Sequence, residues 1–206
     1  MFIVFEGCDR SGKSSQARRL ARHLQSQGLR VHTLSFPDRS SPCTGPLLNA
    51  YLQGDLDLPP QASHLLFSAN RWEKQPLILQ WLEAGDWIIV DRYWYSGVAY
   101  SVGAHSLALD WAMGPDTGLP TPHCVVFLTM AGREDELEGR GDWGLERFER
   151  LEVQRAVAGA YERVARLVTV PWVRVEGHGS EEAVFGRVLG VLEENGLRVE
   201  GRARVE

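Results

Sequence analysis

Residues 2–5 form an unbroken apolar run, the pattern of a central parallel strand buried on both faces. The period then changes. Between residues 13 and 27, Ala17, Leu20, Ala21 and Leu24 recur at helical spacing. Arg18, Arg19, Arg22 and Gln25 lie mostly off that stripe, and Gly28 is a natural stop. Residues 30–36 read as a second strand, ended by Pro37, and 37–42 are loop by composition. A short helix over 47–53 stops at Gly54. Segments 63–72 and 76–83 form a helical pair or one bent helix, since Pro76 starts a helix more readily than it sits inside one. The third strand is 87–90, the connection 115–122 is irregular, and 124–128 is the fourth strand. A long helix spans roughly 145–168, the last strand is 172–175, and Ser180 caps a final amphipathic helix to Glu194. The tail, 196–206, has no core pattern and is predicted to fray.

Strands alternating with helices predict an α/β fold, a parallel sheet with helices on both faces, in one domain covering 1–206. In such a sheet ligands bind beyond the carboxyl ends of the strands. The residues there are Gly7–Ser14, Pro37-Asp38-Arg39 and Asp91-Arg92-Tyr93, three stretches that each carry polar or charged groups.

Between two of those strands and their helices lies the chemistry. Gly7 to Ser14 reads G-x-x-x-x-G-K-S, a phosphate-binding loop set after a strand and before a helix. Its glycines let the backbone turn tightly and approach an anion, and the amides of the helix start surround the phosphates. Lys13 supplies a positive charge to the β- and γ-phosphates, and Ser14 can hold Mg²⁺. Asp91, closing an apolar strand, is placed to reach the same cation, its other reading being a helix cap. Arg39 and Arg92 at neighbouring strand ends can clamp a second phosphoryl group. Arg10, inside the loop, reads as an arginine finger supplied in cis, its other readings being a salt bridge to Asp9 or exposure to solvent. A glycine-rich segment with arginines, 139–147, suggests a lid, which phosphoryl transfer to a small acceptor needs to keep water out.

Composition removes some classes. A net charge of −5 on 206 residues argues against a nucleic-acid-binding domain. The sequence has no Asn-Lys and so lacks the Asn-Lys-x-Asp guanine-reading motif of a regulatory GTPase. The apolar stretches are too short for a membrane span, and no secretory leader is visible, so the cytosol is expected, with the nucleus left open. Cys8, Cys43 and Cys124 are too few and too scattered for a disulfide framework or a zinc site.

With these residues assembled, the chain resembles the thymidylate kinase family, most of all its eukaryotic and viral branch, over nearly its whole length. The motifs, in family order, are Phe5-Glu6-Gly7-Cys8-Asp9-Arg10-Ser11-Gly12-Lys13-Ser14, Phe36-Pro37-Asp38-Arg39, Leu66-Phe67-Ser68-Ala69-Asn70-Arg71-Trp72-Glu73, Val90-Asp91-Arg92-Tyr93 and Asp116-Thr117-Gly118-Leu119-Pro120. The resemblance implies a phosphate-loop, three-layer fold with a five-stranded parallel sheet and a small lid at about 136–149. It implies transfer of the ATP γ-phosphoryl group to dTMP, with dUMP left open as a second acceptor. Mg²⁺ would be the cofactor, held at Ser14 and Asp91, and the chain would form a homodimer. Asp9 would hold the deoxyribose 3′-OH, and Arg10, Lys13, Asp91 and Arg92 would serve catalysis. Ser11, Gly12, Lys13, Ser14 and Ser15 would serve ATP, with Arg140 near the adenine. Arg39 and Arg92 would hold the acceptor phosphate, Phe67 would stack on thymine, and Arg71 would donate to a ring carbonyl. Phe36, Leu52, Gly97, Tyr100 and Phe148 would line the acceptor pocket. Phe148 departs from the family's usual tyrosine, which bears on selection against ribose and dUMP. The competing readings are a deoxynucleoside kinase or another nucleoside monophosphate kinase, and a catalytically silent nucleotide-binding module.

Overall fold

The computed structural model describes residues 1–130, 144 and 146–197. Five parallel strands, β1 (Phe2–Gly7), β2 (Val31–Ser35), β3 (Trp87–Asp91), β4 (Cys124–Thr129) and β5 (Trp172–Glu176), form one sheet in the order β2-β3-β1-β4-β5. β1 lies at the centre, with Ile3 opposite Ile89 on one side and Cys124 on the other. Its alternate side chains feed two separate cores, which is why its sequence shows no polar face. Phe2 and Val4 pack with Ile88, Val90, Val125 and Phe127 against helices α4 (Gln75–Glu83), α5 (Trp94–His105) and α7 (Leu151–Ala165). Ile3 and Phe5 pack with Ile89, Val126 and Leu128 against α1 (Lys13–Ser26) and α8 (Glu181–Glu194). The result is the three-layer α/β sandwich predicted.

α2 (Gly45–Gln53) ends on Gly54 in the left-handed conformation, and α3 (Pro60–Trp72) begins on a proline three residues earlier than the apolar pattern implied. α3 and α4 are separate helices. The cap of α8 is as read: the Ser180 hydroxyl accepts from the Ala183 amide at 3.2 Å.

Two elements differ from the sequence reading. α5, and the short α6 (Leu109–Met113) with a 3-10 turn after it, fall in a stretch where no helix was predicted. α5 is covered by the sheet on one side and by α7 and α3 on others, so it carries no polar stripe to betray its period. The long helix expected from 145 starts instead at Leu151, because Arg150 is extended and residues 146–149 form a turn. The Glu149 carboxylate accepts the amides of Gly144 (3.0 Å) and Glu146 (3.3 Å), which holds that turn closed ahead of the helix.

Of the expected lid, 136–143 and 145 lie outside the described residues. Gly196 and Leu197 close α8, with the Leu197 amide on Leu192 C=O at 2.9 Å, and 198–206 also lie outside them. Among the described residues no helix is long and apolar enough to cross a membrane.

Candidate active site

The turn out of β1 requires its glycines. A Cβ on Gly7, at φ 143°, would lie 2.4 Å from Leu128 C=O, and Gly12, at φ 96°, turns the chain into α1. The first α1 bond runs from the Gln16 amide to Gly12 C=O at 3.1 Å, which leaves the amides of Lys13, Ser14 and Ser15 without an intrahelical partner and turned toward an anion. Lys13 is buried in this cradle, its ammonium donating to Cys8 C=O. Burial first, then Arg92, pushes it down to about 8, with Asp91 and Asp9 opposing.

Beyond the carboxyl ends of β1, β2 and β3 opens a cavity of about 240 Å³. Of the residues predicted from sequence, Asp9, Ser14, Phe36, Arg39, Leu52, Phe67, Arg71, Asp91, Arg92, Gly97, Tyr100 and Phe148 all line it. Arg10, Ser11, Gly12, Lys13 and Ser15 occupy the adjoining loop and first helical turn. Arg140 lies outside the described residues.

Each side chain is held. Arg92, in the left-handed region at φ 67°, donates to an Asp9 carboxylate oxygen and to Gly7 C=O (3.1 Å), and its guanidinium sits 5.3 Å from the Tyr100 ring centre. Burial would raise Asp9, but Arg92 and then Lys13 outweigh it and hold the carboxyl below its usual range. Arg71, 2 % exposed, donates through Nε (2.9 Å) and Nη2 (2.6 Å) to both oxygens of buried Asp116, to which Ser68 also donates at 2.9 Å. Asp116 does not use Arg71 Nη1, and the Arg71 side chain lines the cavity. Gly97 makes room for this fork, since a Cβ there would lie 2.7 Å from Nη2. Phe67 is half-buried, which favours a ligand-facing ring over a core residue. Phe148, 9 % exposed, packs in a cluster with Tyr51 and Leu52.

Arg10 bonds not to Asp9 but to Glu149, Nε to Oε1 at 2.9 Å. Asp9 is instead fixed by Gln154, which donates to its carboxylate at 2.7 Å and accepts its amide at 2.8 Å. Neither Gln154 nor Glu149 was singled out from sequence, and nothing local marks them. The Asn-Arg-Trp-Glu motif has a second task as well. Asn70 holds Asp38 C=O (3.0 Å) and the Asp38 amide (2.7 Å), and Glu73 accepts from Ser41 and Thr44, so the loop carrying Arg39 is fixed from α3. Glu6, the one acidic residue of β1, is fully buried and raised by that burial, with Ser96 foremost among the groups opposing the rise. It accepts the amides of Tyr93 (2.8 Å) and Ser96 (3.2 Å) at the start of α5. Cys8 is buried, which shields its thiol.

The donor set for a divalent cation is present. The Ser14 hydroxyl donates to Asp91 Oδ2, while Asp91 Oδ1 is buried with no hydrogen-bond partner. A hydroxyl and a carboxylate with an unsatisfied oxygen, beside a phosphate cradle, suit a hard cation that keeps most of its waters.

Comparison with known proteins gives one answer. The thymidylate kinase family model matches residues 5–188. Thymidylate kinase of Homo sapiens is 41% identical over 196 residues, 95% of this chain and 91% of that protein. The Dictyostelium discoideum thymidylate kinase is 39% identical over 194 residues, 94% of this chain and 85% of that protein. The solved structure of the Candida albicans thymidylate kinase superposes with a TM-score of 0.83 at 36% identity, covering 95% of this chain and 92% of that one.

Proposed function

The chain belongs to the thymidylate kinase family, and we propose that it is an ATP-dependent phosphotransferase that converts dTMP to dTDP at the cavity described above. The observation that carries the acceptor assignment is that Arg39 and Arg92 share one cavity with Phe67 and the Arg71 fork, next to the phosphate loop. A nucleoside acceptor has no 5′-phosphate to engage both arginines. Phe67 offers its π-face to the pyrimidine, and the N–H donors of Arg71 that Asp116 does not use can meet a ring carbonyl. Asp9, kept ionised by Arg92, accepts from the sugar 3′-OH and aligns the acceptor.

Lys13 and the loop amides hold the ATP phosphates, with Ser11, Gly12, Ser14 and Ser15 completing the cradle. Arg10 stabilises charge developing on the transferred phosphoryl group. Mg²⁺ would be held by Ser14 and Asp91 and would neutralise charge on the β- and γ-phosphates. Phe36, Leu52, Tyr100 and Phe148 exclude water and shape the acceptor pocket. As a whole the chain acts as one domain and works as a cytoplasmic homodimer, whose partner would cover apolar side chains left exposed here, such as Leu65 and Trp111.

Coupled ADP release with dTMP, dUMP, dGMP, AMP and thymidine tests the acceptor. Turnover is expected with dTMP, weaker turnover with dUMP, and none with thymidine. Turnover of thymidine but not dTMP would replace this reading with a nucleoside kinase. ATP binding without turnover of any acceptor would make the chain a silent nucleotide-binding module.

A further inference from the structure

The turn before α7 makes a set of contacts that the phosphotransfer reading does not use. Glu146 Oε1 accepts from Arg39 Nη2 at 2.5 Å, an ion pair whose side chains are 39% and 38% exposed. Three residues on, Glu149 Oε1 accepts from Arg10 Nε, and here the side chains are only 26% and 9% exposed. The other Glu149 oxygen accepts the Glu146 amide at 3.3 Å. Between them, Arg147 donates to Tyr51 C=O (2.9 Å) and Leu56 C=O (3.0 Å), which anchors the turn to the end of α2. A single tight turn thus holds one arginine of the acceptor side and the arginine of the phosphate loop, through two carboxylates joined by one backbone amide.

The two pairs differ in how easily they can be exchanged. The Arg39–Glu146 pair is half-exposed and weak, so a phosphate dianion displaces Glu146 at small cost. Glu146 cannot stay beside the incoming dianion, because like charges at that distance repel. The Arg10–Glu149 pair is more buried, and Glu149 has both oxygens engaged, so it holds through the exchange.

We propose that Glu146 is a placeholder for the acceptor phosphate on Arg39, and that its displacement is passed through the Glu146 amide to Glu149, a positioning residue for Arg10. Acceptor occupancy then sets the phosphate-loop arginine, and acceptor and donor bind with positive coupling. By linkage, each ligand raises the affinity for the other by the same factor.

This rests on the assignment of Arg39 to the acceptor phosphate and Arg10 to the transferred phosphoryl, which Arg39→Ala and Arg10→Ala test separately. The first should raise the dTMP KM, and the second should lower kcat. For the proposal, the full chain is titrated calorimetrically with a non-hydrolysable ATP analogue, with and without saturating dTMP. The wild type should bind the analogue about fivefold tighter with dTMP present. Glu146→Gln, an exposed change, should lose that difference while lowering the dTMP KM, because Arg39 no longer has a charged resident. Glu149→Gln sets an NH₂ against two amide donors or the guanidinium. It should lower kcat about tenfold or more at an unchanged dTMP KM. An equal coupling factor in wild type and Glu146→Gln overturns the proposal, as does a wild type with no coupling. Both leave the roles of Arg39 and Arg10 standing if their alanine variants behave as stated.

Discussion

At the scale of single residues, Lys13 carries the clearest consequence. In the folded protein its amine is lowered from the ordinary 10.5 to about 8, burial being the main cause. Below about pH 8 it is charged in both folded and unfolded states. Between about 8 and 10.5 the unfolded chain binds the extra proton, so this group's contribution makes the ligand-free protein more stable as pH rises through that window. Phosphate binding has the opposite sign, since it needs the ammonium. Affinity for the ATP analogue should fall about tenfold from pH 7 to pH 9, and calorimetry at the two pH values checks it. A flat profile would mean that the loop amides alone carry the phosphates. The sequence exposed Lys13, Ser14 and Asp91 because their spacing follows from local chain geometry. It concealed Gln154 and Glu149, which reach Asp9 and Arg10 across 145 and 139 residues. It left Arg10 between two partners, Asp9 and solvent, and the structure chose a third.

Elements were legible where one segment determines its own shape. The β1–loop–α1 unit and the Ser180 cap depend on residues a few positions apart, and both match the reading. α5 was invisible because it is apolar on nearly every side, and the start of α7 was misplaced because Arg150 is extended and residues 146–149 form a turn. α5 also shows how an element can serve a site by lacking something. Gly97 is a helical residue with no φ demand, yet it faces the Arg71 fork, which Asp116 and burial prevent from yielding. Gly97→Ala should therefore push the guanidinium out of line, raising the dTMP KM tenfold or more and costing about 1–3 kcal/mol of stability. Steady-state kinetics with a thermal melt measure both. A normal KM would show that the fork can shift and that Arg71 does not read the base.

At the scale of the whole molecule, the sheet order sets β1, which carries the phosphate loop, directly beside β3, which carries Arg92, so donor and acceptor sides meet at two adjacent strands. Glu6 in that strand supplies what α5 lacks at its own beginning. Tyr93, the residue before the helix, gives no side-chain cap, and the Tyr93 and Ser96 amides go to a carboxylate 87 and 90 residues earlier. Helix starts ordinarily fray, and their amides exchange with solvent through small local openings. These two cannot do so without breaking the centre of the sheet. In hydrogen–deuterium exchange, Tyr93 and Ser96 should be protected to the same free energy as the β1 and β3 amides. In Glu6→Gln they should drop to the level of a frayed end. The first turn of α5 would then be among the last parts of the protein to open, and during folding it could form only after the first and third strands had paired.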